Sequence, residues 1–456
     1  MTDLRSAIEA VMPSVRTDLE RLVRIPSVAF DGFDHSHVAR SAELVAQLLR
    51  DAGMPDVRIV TAKGESGQDG QPAVIAHKPP PPGAPTVLLY AHHDVQPAGN
   101  PQDWDQDDPF TPVERNGRLY GRGCADDKAG IMAHIAALRA YGDDLPVGVT
   151  VFVEGEEEFG SDSLEALLTE NRELLAADII VIADSVNWGI GQPSLTTSLR
   201  GIVNVYVEIA TLNQAVHSGM FGGAVPDALT ALCRLLATLH DDEGDVAVDG
   251  LVRTSASPIE MEPQRLRSES GMLDGVEFIG TGRLVERLWT KPTATVLGID
   301  APGARESANA LQAVARAKVS FRLAPGDDHE SAAKAIESHL RTHVPWGAKL
   351  TVTTDHGGNP SVIDATGPRY DAARAAFADA WDGVAPIDTG LGGAIPFIST
   401  FQEMFPAAAI LVTGVEDPDS RAHGPNESLH LAEFARVCHA EALLLRNAAK
   451  LNDSTR

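Results

Sequence analysis

Residues able to bind metal ions recur at several places in the chain, and the most informative of them is Asp126. It lies in the stretch 121–128 (GRGCADDK), which follows a turn-rich segment and leads directly into a helical pattern. A carboxylate flanked by glycines at a loop-to-helix junction can present both oxygens without an obstructing neighbour. A carboxylate that bridges two metal ions needs that presentation, so we predict that Asp126 is such a bridge.

Three further acidic or histidine clusters follow short apolar runs. The run 86–90 precedes His92 and Asp94, the run 147–153 precedes Glu157 and Glu158, and the run 179–183 precedes Asp184. Continuous apolar runs of this length are typical of strands buried on both faces of a parallel sheet. In such sheets ligands gather outside the carboxyl ends of the strands. The sequence therefore predicts that these clusters converge with Asp126.

The donor types indicate which ions the cluster could bind. Imidazole and carboxylate groups without thiolates suit zinc or a similar divalent ion. Two ions about 3.5–4 Å apart need one shared carboxylate and roughly two further protein ligands each. With Asp126 as the bridge, we expect His92 and Asp184 on one ion, and Glu158 and His423 on the other.

Two acidic residues remain for catalytic work. Glu157 would hold a metal-bridging water and take its proton as general base. Asp94 stands two residues after His92 and would accept a hydrogen bond from that imidazole, which fixes its tautomer.

Composition narrows the functional class. A chain of 456 residues predicts two domains. The 64 acidic against 37 basic residues give a net charge of −27, which argues against nucleic-acid and anionic membrane partners. Three cysteines, and the lack of a long apolar segment at the N-terminus, predict a cytoplasmic protein without disulfides or a membrane span.

The order of patterns predicts an α/β fold in which one domain is inserted into another. Strands alternate with helices in 1–199 and again in 361–456, which favours a mostly parallel sheet in a discontinuous catalytic domain that carries both metals. Within 200–360 the segment 202–209 alternates apolar and polar residues, as a half-exposed antiparallel strand does. We therefore predict that 200–360 is an inserted α+β domain.

Four motifs carry a resemblance to a known family. They are AHHDVQP at 91–97, GRGCADDK at 121–128, EEFGS at 157–161 and AHGPNE at 422–427. In this order they resemble the M20 metallopeptidases, and within them the carnosinase-like dipeptidases. The resemblance implies an aminoacyl hydrolase with two divalent ions per subunit, Zn²⁺ first, with Mn²⁺ or Co²⁺ as alternatives. It also implies a homodimer formed through the inserted domain, which acts as a dimerisation or lid domain.

The resemblance also implies substrate-binding residues. His217 matches a histidine that reaches across the dimer to the substrate carbonyl, and Asn309 and Arg322 match an Asn and an Arg that hold the substrate. An arginine at 322 would pair with the substrate carboxylate. The turn that contains Gly393 and Ala394 departs from the family, whose members commonly carry Glu at position 391 and Ser or Thr at position 394. A hydroxyl donor is thereby lost, which leaves the substrate preference open.

Two substrate classes remain within this reading. The first is a dipeptide or similar short peptide, and the alternative is an N-acyl amino acid, as for acetylornithine deacetylase or succinyl-diaminopimelate desuccinylase, because one hydrolytic centre can cleave both amides. A serine hydrolase is disfavoured, since the chain has no Gly-x-Ser-x-Gly motif. A metal-free binding protein would lack a ligand or the base, and none is missing.

Overall fold

The structure is a computed structural model that describes residues 3–64, 66–255, 259–393 and 396–451. The chain forms two compact units. Unit 1 comprises the described residues of Met1–Thr197, Asp364–Thr389 and Thr400–Arg456. Unit 2 comprises those of Ser198–Ile363 and Gly390–Ser399, so it contains a short segment from the C-terminal part of the chain.

Helices and strands are numbered along the chain. The first part contains α1 (Leu4–Val23), α2 (Ser36–Asp51), β1 (Asp56–Val60), β2 (Ala73–Lys78), β3 (Thr86–His92), β4 (Val113–Arg115), β5 (Arg118–Tyr120), α3 (Lys128–Tyr141), β6 (Gly148–Glu154), α4 (Leu164–Glu170), α5 (Arg172–Leu175), β7 (Ile179–Ile182) and β8 (Ser194–Leu199). The middle part contains β9 (Gly201–Ala210), β10 (Val216–His217), α6 (Ser218–Phe221), α7 (Ala228–Ala237), α8 (Pro263–Ser270), α9 (Leu284–Trp289), β11 (Thr293–Asp300), β12 (Ala310–Leu311), β13 (Val314–Leu323), α10 (His329–His343), β14 (Lys349–Gly358) and β15 (Ser361–Val362). The last part contains α11 (Pro368–Ala380), β16 (Ile387–Leu391), α12 (Pro396–Met404), β17 (Ala409–Thr413), β18 (Ser428–His430) and α13 (Leu431–Ala449).

The sheet of unit 1 has a parallel centre. Strands β6, β3, β7 and β17 lie side by side in this order, and each neighbouring pair is parallel. Strand β2 pairs antiparallel with β6, and β8 pairs antiparallel with β17, so the sheet is mixed. The predicted α/β fold is confirmed, with the parallel strands at the centre of the sheet because these strands carry the apolar runs.

Helix α3 is largely buried in unit 1, and its first turn fixes the loop before it. It packs against α1 and α13. The Asp127 carboxylate accepts a hydrogen bond from the Gly130 N–H, a cap that satisfies one of the unpaired donors of the first turn. The fully buried Lys128 ammonium donates to the carbonyl oxygens of Leu22, at 3.0 Å, and Ile25, at 2.8 Å. Lys128, the residue that follows Asp127, therefore holds the start of α3 against the end of α1.

Unit 2 is built on an antiparallel sheet in the order β11-β13-β9-β14. Helices α7 and α10 pack against this sheet. Along β9, Val203, Val205, Val207 and Ile209 are buried in the core of the unit, while the residues between them are half-exposed. The alternation seen in the sequence thus places one face of the strand against the helices.

Among the described residues, no helix combines the length and the apolar character needed to cross a bilayer.

Candidate metal and active site

Three neighbouring parallel strands of unit 1 bring four of the predicted residues to one edge of the sheet. The apolar run 86–90 indicated that His92 lies two residues beyond the strand, but β3 continues further and His92 is its last residue. Glu157 and Glu158 lie in a 3₁₀ turn, Glu157–Phe159, that follows β6. Asp184 follows β7, which is the other neighbour of β3. Because the strands are parallel, their carboxyl ends place these side chains together.

The two oxygens of Asp126 face two different histidines. Its Oδ1 lies 3.1 Å from His92 Nε2, and its Oδ2 lies 3.0 Å from His423 Nε2. His92 comes from a strand, whereas His423 comes from the loop between β17 and β18. A carboxylate that offers one oxygen to each of two groups has the geometry that a shared ligand requires.

The donor atoms form groups that fit divalent cations. One group contains His92, Glu157 and Asp184, and a second contains Asp126, Glu158 and His423; within each group the ligand atoms lie within 4.8 Å of one another. In the first group His92 Nε2 is 3.9 Å from Asp184 Oδ1, and in the second His423 Nε2 is 3.2 Å from Glu158 Oε2. Imidazole nitrogens and carboxylate oxygens without a thiolate suit zinc and similar ions. The arrangement also places Glu157 close enough to act as a ligand of the first group.

The pKa values of three side chains of the cluster are shifted upward, and burial or hydrogen-bonded carboxylates are the cause. Burial raises the pKa of Asp184 to about 7, although the nearby His92 opposes this. Hydrogen bonds to Asp126 and Glu158 raise the pKa of His423 to about 11. Burial opposes a charge on His92, yet its bonds to Asp126 and Asp94 raise its pKa well above the usual value. The carboxylates of the cluster therefore favour the protonated, positively charged form of both histidines.

Asp94 positions two parts of the site at once. Its Oδ1 lies 3.3 Å from His92 Nδ1, and its backbone carbonyl oxygen lies 3.1 Å from the same nitrogen. The carboxylate also accepts hydrogen bonds from the backbone N–H groups of Glu157 and Glu158, both at 3.1 Å. A single buried carboxylate thus orients the imidazole and the Glu157–Phe159 turn relative to each other.

Glu427 holds the loop that carries Asp126, a role that the sequence analysis did not assign. Its fully buried carboxylate accepts hydrogen bonds through Oε1 from the N–H groups of Ala125, at 2.9 Å, and Asp126, at 3.2 Å. Its Oε2 accepts from Gly123 N, at 2.9 Å, and from Arg122 Nη1, at 2.7 Å. The motif at 422–427 contained this residue, but only the tertiary structure shows which loop it holds.

Two more polar residues that sequence reasoning missed lie at the site. Gln96 donates from its backbone N–H to Glu158 Oε1, at 3.2 Å, and from Nε2 to Glu158 Oε2, at 2.7 Å. Glu416 forms a third group with Asp126 and Asp184, again with oxygens within 4.8 Å. Glu416 follows β17 without any motif around it, so its sequence gave no signal.

Of the predicted substrate-binding residues, His217 and Asn309 are neighbours in unit 2. Strands β10 and β12 pair antiparallel, and the Ser218 N–H donates to the Asn309 carbonyl oxygen at 3.0 Å. His217 is exposed, and its Nδ1 accepts a hydrogen bond from the Gly219 N–H at 3.1 Å. A neutral imidazole bonded in this way carries its proton on Nε2, which makes Nε2 a hydrogen-bond donor.

Three predicted substrate-binding residues remain, namely Arg322, Gly393 and Ala394. Arg322 lies near the end of β13 and is half-buried. Gly393 follows β16 in a bend, and Ala394 lies outside the described residues.

Comparisons with known proteins agree on one family. The family model "Peptidase family M20/M25/M40" matches residues 88–447. The Cysteinylglycine-S-conjugate dipeptidase of Corynebacterium striatum is 36% identical over 420 residues, which cover 90% of each chain. The Beta-Ala-His dipeptidase of Rattus norvegicus is 31% identical over 441 residues, covering 91% of this chain and 88% of that protein. The solved structure of the di-peptidase Dug1p from Saccharomyces cerevisiae superposes with a TM-score of 0.83 at 25% identity, covering 98% of both chains.

Proposed function

The chain belongs to the M20 family of peptidases, and from this premise we propose that it is a two-metal dipeptidase with Glu157 as its general base. The observation that carries the proposal is the position of Asp126, whose two oxygens face His92 and His423. The alternative, an N-acyl-amino-acid deacylase, is not favoured, because the two curated relatives described above are dipeptidases. Their names point to small dipeptides such as Cys-Gly conjugates and Beta-Ala-His as the substrate class.

The residues that would hold the two ions are those of the donor groups. His92 and Asp184 would bind one ion, Glu158 and His423 the other, and Asp126 both. Zinc is the proposed metal, with manganese or cobalt as alternatives. When bound, such ions polarise the scissile carbonyl and make an attacking water more acidic.

Glu157 would move the proton that this reaction requires, and three observations support this role. Its Oε2 lies 4.0 Å from His92 Nε2, and its side chain is 18% exposed. Burial, and then the charge of Asp184, raise the pKa of Glu157 well above the usual value, which increases its affinity for a proton. As water adds to the amide carbon, Glu157 takes one of its protons and then passes it to the leaving nitrogen when the C–N bond breaks.

The residues of unit 2 would bind the ends of the substrate. Arg322 would pair with the substrate carboxylate, while Asn309, Gly393 and Ala394 would contribute to the same binding. His217, with its proton on Nε2, would donate to the carbonyl oxygen of a substrate bound to the partner subunit. Because His217 would act on the partner's substrate, we propose a homodimer that is formed through the inserted domain. We also propose that the protein is cytoplasmic.

The test of this function is a substrate panel with metal analysis. Purified protein should contain close to two divalent ions per chain and should hydrolyse unblocked dipeptides in preference to N-acetyl and N-succinyl amino acids. A chelator should abolish the activity, and added zinc, manganese or cobalt should restore it. Full activity in thoroughly metal-free protein would show that the mechanism is wrong, and preference for the N-acyl substrates would favour the deacylase.

A further inference from the structure

Two arginines of unit 2 lie close together at one end of its sheet. Arg200 directly precedes β9 and is only 8% exposed, and Arg322 is on β13. In the register of the sheet, Arg322 is opposite Thr293 of β11. Directly opposed residues on antiparallel strands project from the same face. The guanidinium of Arg200 reaches this face as well, since its Nη1 lies 3.5 Å from Thr293 Oγ1.

Neither arginine has a counter-charge within the described part of the chain. No carboxylate there shifts the pKa of either one: burial lowers the pKa of Arg322, and burial, followed by the charge of Arg322, lowers the pKa of Arg200 to about 10. By contrast, Arg316, on the same strand as Arg322, is exposed and pairs with Glu208. A buried charge without a partner is costly, and two neighbouring charges of the same sign are more so. An anion bound between them would remove this cost.

The Arg200 side chain is held in a fixed position. Its Nε donates to the Gly392 carbonyl oxygen at 2.9 Å, and its backbone N–H donates to the Leu391 carbonyl oxygen at 3.2 Å. A Cβ at position 392 would lie 3.0 Å from Arg200 Nη2, so a glycine leaves room for the guanidinium there. Among the described residues, none accepts a hydrogen bond from Arg200 Nη2 or from the Arg322 guanidinium. Donors from both side chains therefore remain for a ligand.

We propose that Arg200 and Arg322 together bind one carboxylate, the C-terminal carboxylate of the substrate, which makes Arg200 a specificity-determining residue. Two guanidinium groups match the two oxygens of a carboxylate with paired, charge-assisted hydrogen bonds. The inference rests on the proposed dipeptidase function and extends it, because that function gives Arg200 no role in binding the carboxylate. An inorganic anion offers related chemistry, and the experiment separates it from a carboxylate.

The test compares a dipeptide with its C-terminal amide in wild-type enzyme and in Arg200→Gln. Wild-type enzyme should prefer the free acid, and Arg200→Gln should lower the ratio of kcat/KM for acid over amide by about 10- to 100-fold, the effect of losing a charged hydrogen bond. Arg200→Lys keeps the charge and should recover part of the preference. The matched control is Arg316→Gln, which removes an exposed guanidinium from β13 and should leave the ratio unchanged. If Arg200 served only to hold the turn at Gly392, acid and amide would lose activity equally, and an unchanged ratio would contradict the proposal.

A binding measurement separates this inference from the function on which it rests. Titration of glycine and of glycinamide into the metal-loaded enzyme should show tighter binding of glycine, and this difference should disappear in Arg200→Gln. If sulfate binds as tightly as glycine and both are weakened equally, the pair is a general anion site and the assignment to a carboxylate is wrong. A metal-loaded wild-type enzyme that cleaves no dipeptide would contradict the proposed function, whereas the titration would still decide whether the two arginines bind a carboxylate.

Discussion

Replacing Glu427 with Gln should weaken metal binding without removing a metal ligand. Each oxygen of the buried carboxylate accepts two hydrogen bonds, Oε1 from Ala125 and Asp126 and Oε2 from Gly123 and Arg122. A glutamine amide has one oxygen and one NH₂ group. In either orientation the NH₂ faces two donors, so two hydrogen bonds are lost in both cases.

The size of the effect follows from those two lost bonds. A buried donor left unsatisfied costs about 1–3 kcal/mol, so Glu427→Gln should lower the free energy of unfolding of the metal-free protein by about 2–6 kcal/mol. One of the bonded groups is the backbone N–H of Asp126, so the orientation of the proposed bridge should change too. Residues that orient metal ligands typically alter affinity by about 10- to 100-fold, and we expect a loss of that size.

The assay combines urea unfolding of metal-free protein with zinc binding measured by competition against a chelator. The matched control is Glu433→Gln, since Glu433 is also buried and its bonds lie away from Asp126. Its Oε2 accepts hydrogen bonds from Gly191 N and Trp381 Nε1, and its Oε1 accepts one from Arg436 Nη1 at 3.3 Å, so the amide must lose the bond to Arg436 or those to the other two donors. Both variants should be less stable, and only Glu427→Gln should bind zinc more weakly. If the two variants bound zinc with wild-type affinity, Glu427 would not position the bridge; if both lost affinity equally, the effect would come from general destabilisation.

Three further predictions concern the proposed mechanism. Glu157→Gln should keep both metals and the substrate affinity while kcat falls by at least about 100-fold. Asp126→Ala, by contrast, should lose metal, as measured by elemental analysis. Loss of metal in Glu157→Gln and its retention in Asp126→Ala would contradict the assigned roles. Metal uptake at about pH 8 should release protons, because the pKa of His423, raised to about 11, keeps this imidazole protonated in the metal-free protein, and the pKa of His92 is shifted in the same direction. Titration in buffers of different ionisation enthalpy measures the number released, and uptake without proton release would refute the protonated state of His423. The variants His217→Ala and Glu157→Gln should each be nearly inactive alone. If one subunit completes the site of the other, co-expression should restore about a quarter of wild-type activity, because about half of the dimers are heterodimers and each of these has one intact site. Heterodimers that remain inactive would place His217 outside the partner's site.

The positions of the strands were predictable because their patterns are local. The apolar runs before His92, Glu157 and Asp184 became β3, β6 and β7, the parallel strands that bring these residues together. The capping role of Asp127 was not predicted, yet the helix it starts was expected at that place. An apolar run and the place where it ends are properties of a short segment, so both can be recognised in the sequence.

The supports of the site were not predictable because they depend on contacts distant in sequence. Glu427 reaches a loop some 300 residues earlier in the chain, and Glu416 meets Asp184 only because β17 pairs with β7. Arg200 looked like an ordinary residue at a domain boundary, and its burial follows from the position of the turn at Gly392. Neither the hydrophobic periodicity nor a motif in a single sequence predicts such long-range contacts.

The origin of His423 and Glu427 in the last part of the chain has a consequence for synthesis in the cell. His92, Asp126, Glu158 and Asp184 leave the ribosome before unit 2 is made, whereas His423 and Glu427 follow it. A nascent chain that ends before residue 423 therefore has only one of the two histidines that we propose as metal ligands, and it lacks the carboxylate that holds the Asp126 loop. Because domains of a growing chain fold as they emerge, the proposed metal centre would be completed last, so incomplete translation products should be catalytically inactive.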